Sequence, residues 1–286
     1  MNLEHTGVIF EGGGMRGIFC TGVIDYFIEH EIYFPHVFGV SAGACNACSY
    51  VSRQAGRAYG TSTEYLKDPE FGGWRSLRKT GDYFNVNFIY HEIPDELYPI
   101  DNETFKKSGV DFKVSITNCI TGEAEYPQIH DLHDDIKYVQ ASASLPLLSR
   151  MVPIDGYVYL DGGICDSIPV MESVREGNKK NVVVLTRPLG YRKKPNHTIM
   201  PMIRAKYIRY PNLVKAIENR FSFYNRTLEY IEQGVKEGTI FAIAPMGDLD
   251  IGRTEMNKDK LKKGYEEGYF VAEGLKDRMM EFLEKE

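Results

Sequence analysis

The chain has 286 residues, enough for one large domain or two small ones with a sizeable core. With 43% hydrophobic, 26% charged and 12% aromatic residues it is ordinary globular material, which excludes a disordered, collagen-like or coiled-coil chain. A net charge of −6 is not that of a protein built to bind nucleic acid. Five cysteines, an odd count in a chain too large to need stapling, point to free thiols in a reducing compartment, so a cytoplasmic protein is expected. The stretch Met1–His5 has no basic residues ahead of an apolar run, and no leader peptide is expected.

In chain order, Thr6–Glu11 reads as a short apolar strand ending in a glycine cluster. Arg16–Glu31 then has helical spacing, with Ile18, Val23, Phe27 and Ile28 apolar. His36–Val40 is a second strand, and Ala42–Tyr50 a small-residue helix made for close packing. The 21 residues from Ile32 to Ser52 lack Lys, Arg, Asp and Glu, yet Pro35, His36, Asn46, two glycines and three serines make them buried interior and not a membrane span. Ser62–Thr104, rich in aromatics, Gly and Pro with weak periodicity, resembles an insertion or lid. Asp111–Asn118, Tyr157–Leu160, Val182–Thr186 and Thr239–Ala244 read as further strands. Continuous apolar strands separated by helical segments predict one α/β domain with a mostly parallel sheet covered on both faces. No linker composition divides the chain.

Gly12-Gly13-Gly14-Met15-Arg16-Gly17 follows a strand and opens a helix. Its G-x-G-x-x-G spacing matches the dinucleotide fingerprint, but the next strand ends in Gly39-Val40-Ser41-Ala42-Gly43 and not in a ribose-binding acid, and no Lys-Ser/Thr closes a P-loop. Several backbone N–H groups at a helix start attract negative charge; a tight turn without a ligand has the same sequence. The segment 39–43 is a G-x-S-x-G, which places a serine on a sharp strand-to-helix turn, although an ordinary Gly/Ser turn matches it too. Together the two carry more. A serine attacking an ester creates an oxyanion, and the glycine loop plus the Ala42 N–H supply donors for it.

The serine needs a base. None of the seven histidines (His5, His30, His36, His91, His130, His133, His197) sits in a catalytic setting, and His197, the one compatible with a Ser…Asp…His order, lies in a basic surface loop. Asp161-Gly162-Gly163 is better placed, a carboxylate at a strand end; an Asp-Gly hairpin turn is its plain alternative.

GGGMRG at 12–17, GVSAG at 39–43 and DGG at 161–163, in that order, resemble the patatin-like phospholipase family, as does the small-residue block Ala141-Ser142-Ala143-Ser144-Leu145-Pro146. The motifs cover about residues 6–190; the region 191–286 is similar to bacterial members on weaker grounds. The resemblance implies a three-layer α/β/α sandwich and a Ser–Asp dyad that hydrolyses acyl esters of lipids with no metal and no cofactor. Ser41 is then the nucleophile, Asp161 the base, and the N–H groups of Gly13, Gly14, Met15, Arg16 and Ala42 the oxyanion hole. Gly12, Gly17, Gly39, Gly43, Gly162 and Gly163 complete the motifs. The rival readings are a non-catalytic lipid-binding protein and, on the fingerprint alone, a dinucleotide-dependent enzyme.

Two features stand outside the motifs. Cys45 and Cys48 have C-x-x-C spacing, but without a second pair they read as core thiols, like Cys20, Cys119 and Cys165. Arg187–Arg226 carries ten Lys or Arg against one acid, Glu218, interleaved with Tyr207, Tyr210, Phe221, Phe223 and Tyr224. That pattern fits peripheral docking on an anionic membrane, or a solvated helix whose aromatics pack on the core. Oligomeric state is not encoded in any pattern here.

Overall fold

A computed structural model describes residues 3–285; Met1 and Asn2, part of the segment read as lacking a leader, lie outside them. Nine strands form one mixed sheet: β1 (Thr6–Phe10), β2 (His36–Val40), β3 (Asp111–Asn118), β4 (Ala124–Glu125), β5 (Gln128–Ile129), β6 (Val152–Ile154), β7 (Tyr157–Asp161), β8 (Lys180–Val184) and β9 (Ile240–Ile243). The order across it is β6-β7-β3-β2-β1-β8-β9, with β4 and β5 also paired to β3. Strands β3, β2, β1, β8 and β9 are parallel, as expected from their continuous apolar runs. The remainder is antiparallel: β7 on β3, β6 on β7, and the two-residue strands on β3. Strands of two or three residues carry too little pattern to be read from sequence.

Alternation along the strands builds the layers. Val8 and Phe10 of β1 face one side, where they meet Phe19, Val23 and Phe27 of the helix Ile18–Glu29 and Ala44 and Ala47 of the helix Ala42–Val51. Ile9 faces the other side, against Tyr224, Leu228 and Ile231 of the 27-residue helix Pro211–Glu237. Each large apolar side chain so buried contributes about 1.5–3 kcal/mol. The first layer is completed by Lys258–Glu284, which packs on Ile18–Glu29; Tyr269 stands edge-on to Tyr26 and donates to Glu29. The result is the three-layer sandwich. The uncharged run 32–52 becomes β2 and the buried helix after it, and among the described residues no helix is long and apolar enough to cross a membrane.

One buried acid works against this packing. Asp25, 1% exposed, accepts the Gly56 N–H at 2.9 Å, and burial pushes its carboxyl up to about 6. A raised folded-state value means the stabilising protonated form is complete below the unfolded pKa near 4 and is lost as pH rises through about 6. Asp25→Asn keeps the acceptor without the charge. It is expected to stabilise the protein at pH 7.5 by about 2 kcal/mol and to be neutral near pH 4, as chemical denaturation at both pH values will measure.

Candidate active site

Ser41 occupies the turn between β2 and the helix Ala42–Val51 with φ 54° and ψ −125°, a conformation rarely adopted by residues other than glycine. The turn is tight because the helix starts against β1: a Cβ on Gly43 would lie 2.2 Å from the Phe10 carbonyl oxygen. Ser142 holds the turn from the other side. Its hydroxyl accepts the Ser41 N–H at 2.9 Å and donates to the Ser115 carbonyl at 2.7 Å.

The Ser41 hydroxyl donates to Asp161 Oδ2 at 2.6 Å, and both residues are buried. Topology makes this meeting. β3 extends three residues past the level of Val40, which pairs with Ser115, and β7 runs antiparallel along that overhang until Asp161 comes opposite Ile116. Asp161 therefore reaches the carboxyl edge of the parallel strands at the end of an antiparallel one, a direction the sequence does not give. Asp161 is clamped by the Gly163 N–H on Oδ1 (2.7 Å), by Thr117 on its carbonyl (2.9 Å), and through its own N–H to Ser144 (2.9 Å). Burial pushes its carboxyl above the usual range, opposed by the Arg220 guanidinium, the Ser41 hydroxyl and the Gly163 N–H.

The glycine loop lies alongside. Gly14 (φ 58°) opens a single 3₁₀ turn, Gly14–Gly17, before the helix Ile18–Glu29, so the predicted helix starts two residues later than Arg16. Thr186 donates to the Gly12 carbonyl, and Asn46 holds that of Gly17 at 2.9 Å. Among the described residues no acceptor takes the N–H of Gly13, Gly14 or Ala42. The expected donor Met15 is different: its N–H already bonds the Arg253 carbonyl at 3.1 Å. Arg16 directs its guanidinium away into a polar cavity. Gly39 and Gly43 flank the Ser41 turn, and Gly162 and Gly163 form the turn after Asp161.

Ser41 stands between two cavities. One, of about 180 Å³, is mainly apolar and takes much of its wall from the lid-like stretch, through Phe84, Val86, Ile89, Tyr90 and Ile93. Within that stretch, Trp74–Thr80 is an α-helix and Phe88–Leu97 is wound as a π-helix containing Pro94. Trp74, from the same stretch, is 70% exposed. The second cavity, about 100 Å³, is polar and is bordered by Glu11, Asp161 and the side chains of Arg16, Lys193, Arg220 and Arg253. No histidine lines either one, and His197 is exposed on a surface turn. Cys45 and Cys48 both border the apolar cavity; burial pushes their thiols up to about 11 and 12, so neither is a thiolate at neutral pH.

The basic stretch 187–226 divides between the surface and the interior. Tyr207 and Tyr224 are buried, and Arg187, Arg192 and Arg204 pair with Asp248, Glu232 and Glu218. Lys193 and Arg220 instead turn inward to the polar cavity. Those two residues, with Arg253, Ser142 and Ser144, escaped the sequence reading of the site; only the block 141–146 gave a signal, and it pointed to a motif without a role.

A family model described as patatin-like phospholipase matches residues 8–174, and one described as a domain of unknown function (DUF6363) matches 210–284. The uncharacterized protein YjjU of Escherichia coli K12 is 31% identical over 186 residues, 63% of this chain and 52% of that protein. Lysophospholipase NTE1 of Meyerozyma guilliermondii is 26% identical over 63% of this chain and 12% of its own length, and human patatin-like phospholipase domain-containing protein 2 is 26% identical over 58% and 33%. The chain thus spans about half or less of these relatives. Among solved structures, VipD from Legionella pneumophila shares the fold at a TM-score of 0.50 and 15% identity, over 96% of this chain and 67% of VipD. With more than half its length matched by one family model and the three motifs gathered around Ser41, this chain belongs to the patatin-like phospholipase family.

Proposed function

We propose that the protein hydrolyses acyl esters of lipids, with Ser41 as nucleophile and Asp161 as its base. The observation that carries this reading is the 2.6 Å hydrogen bond from the Ser41 hydroxyl to a buried carboxylate, at a serine that opens onto an apolar cavity. Ser41 Oγ attacks the ester carbonyl and its proton passes to Asp161. The tetrahedral oxyanion is met by the N–H groups of Gly13, Gly14 and Ala42, without Met15. On collapse the alcohol leaves with the proton from Asp161. Water then attacks the acyl-serine, giving its proton to Asp161; the acid departs and Ser41 recovers its hydrogen. One water is consumed, and one alcohol and one fatty acid are released. The acyl chain lies in the apolar cavity under Phe84, Ile89 and Ile93.

The lysophospholipase and phospholipase names of the relatives support a lipid ester as substrate. A fluorophosphonate probe is expected to label the protein at Ser41, located by peptide mass spectrometry, and micellar acyl esters to be cleaved with release of free fatty acid. Absence of both label and turnover would leave a lipid-binding protein without chemistry.

A further inference from the structure

The polar cavity beside Ser41 has more positive charge than its neighbours balance. Arg16, Arg187, Lys193, Arg220 and Arg253 border it against two carboxylates, Glu11 and Asp161. Glu11 is occupied by Thr186, through its N–H at 2.6 Å and its hydroxyl at 3.0 Å, and by the Tyr224 hydroxyl at 2.6 Å. Arg187 is neutralised by Asp248. The other four cations form no ion pair with any described residue, and Arg16 Nε is buried without a partner.

These cations are held in place and not merely near one another. Arg220 donates through Nε to the Gly163 carbonyl, two residues past Asp161. Lys193 lies over the Tyr224 ring at 4.2 Å, and its backbone is clamped by Asn225, which accepts its N–H (2.8 Å) and donates to its carbonyl (3.0 Å). Arg253 is tied to the glycine loop by the Met15 N–H. Burial, with Arg220 and Arg253 close by, pushes the Lys193 ammonium down to about 6, so at neutral pH Lys193 holds its proton only when an anion joins the cluster, whereas Arg16, brought down to about 10 by burial with Arg187 and Arg253, stays charged. Clustered, partly desolvated cations cost free energy unless an anion joins them, and guanidinium forks suit phosphate oxygens.

The cavity is small, about 100 Å³, room for a compact group on the scale of a few waters. It meets the apolar cavity at Ser41, Gly14 and Leu145. A molecule with its ester carbonyl on Ser41 and its acyl chain on the apolar side would put whatever lies a few bonds along its alcohol among the cations.

We propose that Lys193, Arg220 and Arg253, with Arg16, form a phosphate-binding pocket, and that the preferred substrates are acyl esters of glycerol phosphate whose phosphate carries no further alcohol. This rests on the hydrolase reading above and adds the substrate class to it. It also gives the 210–284 segment a task, since Arg220 and Arg253 both come from it.

The test compares 1-oleoyl-glycerol 3-phosphate, 1-oleoyl-glycerol 3-phosphocholine and 1-oleoyl-glycerol as substrates of the full chain. Wild type is expected to favour the phosphate monoester. In Lys193→Gln and Arg253→Gln the ratio of kcat/KM for that ester to kcat/KM for the monoglyceride falls roughly 10- to 100-fold, chiefly through KM, and Lys193→Arg restores it. Arg253 is exposed, so its variant gives a result even if Lys193→Gln folds poorly. Inorganic phosphate competes with the monoester in wild type and more weakly in both variants. Equal rates on all three esters, or an unchanged ratio in the variants, overturns the assignment. So does inorganic phosphate altering monoglyceride turnover with no preference for the phosphate ester, which would mean a free-phosphate site. If no ester is cleaved, the hydrolase reading falls instead, and calorimetric binding of the monoester to wild type and Lys193→Gln still decides: weaker binding in the variant supports the pocket, equal binding ends it.

Discussion

Asp161→Asn is expected to lower kcat/KM for ester hydrolysis roughly 10³- to 10⁴-fold, the scale on which serine hydrolases respond to a disabled triad member. The amide can still accept the Gly163 N–H, so the turn after β7 survives, but no group remains that takes the Ser41 proton. The same variant is expected to melt higher, not lower. Burial raises the Asp161 carboxyl in the folded state, so ionising it costs stability as pH rises through that value, and removing the charge recovers the cost at neutral pH. A gain of about 2–4 °C in Tm is consistent with one such group in a domain of this size. The pH profile gives an independent check. A base with a raised pKa places the acid limb of kcat/KM above the ordinary carboxylate region near 4, with activity increasing as pH rises through it. An Asp161→Asn enzyme of normal activity, or an acid limb in the usual carboxylate range, would remove Asp161 from the chemistry.

The second large effect is expected from one methyl group. Gly43→Ala adds a Cβ that would stand 2.2 Å from the Phe10 carbonyl oxygen and 2.7 Å from that of Glu11, both backbone atoms of or next to β1. Helix propensity favours Ala over Gly by about 1 kcal/mol. A backbone–backbone clash at this distance outweighs that, because the helix Ala42–Val51 must move off the sheet to relieve it. A net loss of about 3 kcal/mol is expected, together with loss of fluorophosphonate labelling as the Ser41 turn opens. Gly274, in the helix Lys258–Glu284, has nothing near its missing Cβ, and Gly274→Ala is expected to stabilise by about 0.5–1 kcal/mol. Chemical denaturation of the two variants measures the contrast; similar values for both would show that close approach does not dictate the glycine at 43.

Much of the fold was legible because its signals are local. The buried strands β1, β2, β8 and β9 are short segments rich in Val, Ile and Phe, β3 alternates such residues with polar ones, and the three motifs fall where strands hand over to turns. Strand limits shifted by up to two residues: the run read as 182–186 is β8 at Lys180–Val184, because pairing with β1 and β9, not hydrophobicity alone, sets where a ladder begins and ends. The antiparallel strands were not legible as such. β4 and β5 have two residues each, and whether β7 runs with or against β3 depends on a partner more than forty positions away.

The candidate site divides in the same way. Ser41, Asp161 and the glycine loop could be named from sequence because each chemistry needs particular residues at fixed local spacing. The support around them could not. Ser142 reaches the Ser41 N–H across 101 positions of sequence, and Arg220 reaches Gly163 across 57, with no periodicity to announce either. The basic stretch 187–226 makes the same point. Its charge could be counted, but which cations pair with surface acids and which turn toward the serine depends on how the helix Pro211–Glu237 sits on the sheet. Local chemistry is written in neighbouring residues, so the sequence by itself determined the candidate reactive groups and the layers of this protein. Electrostatic and steric surroundings are made by residues distant in the chain, so only the tertiary structure decided which N–H groups beside Ser41 stay free, how Asp161 arrives at the serine, and that an unbalanced cluster of cations lies beside it.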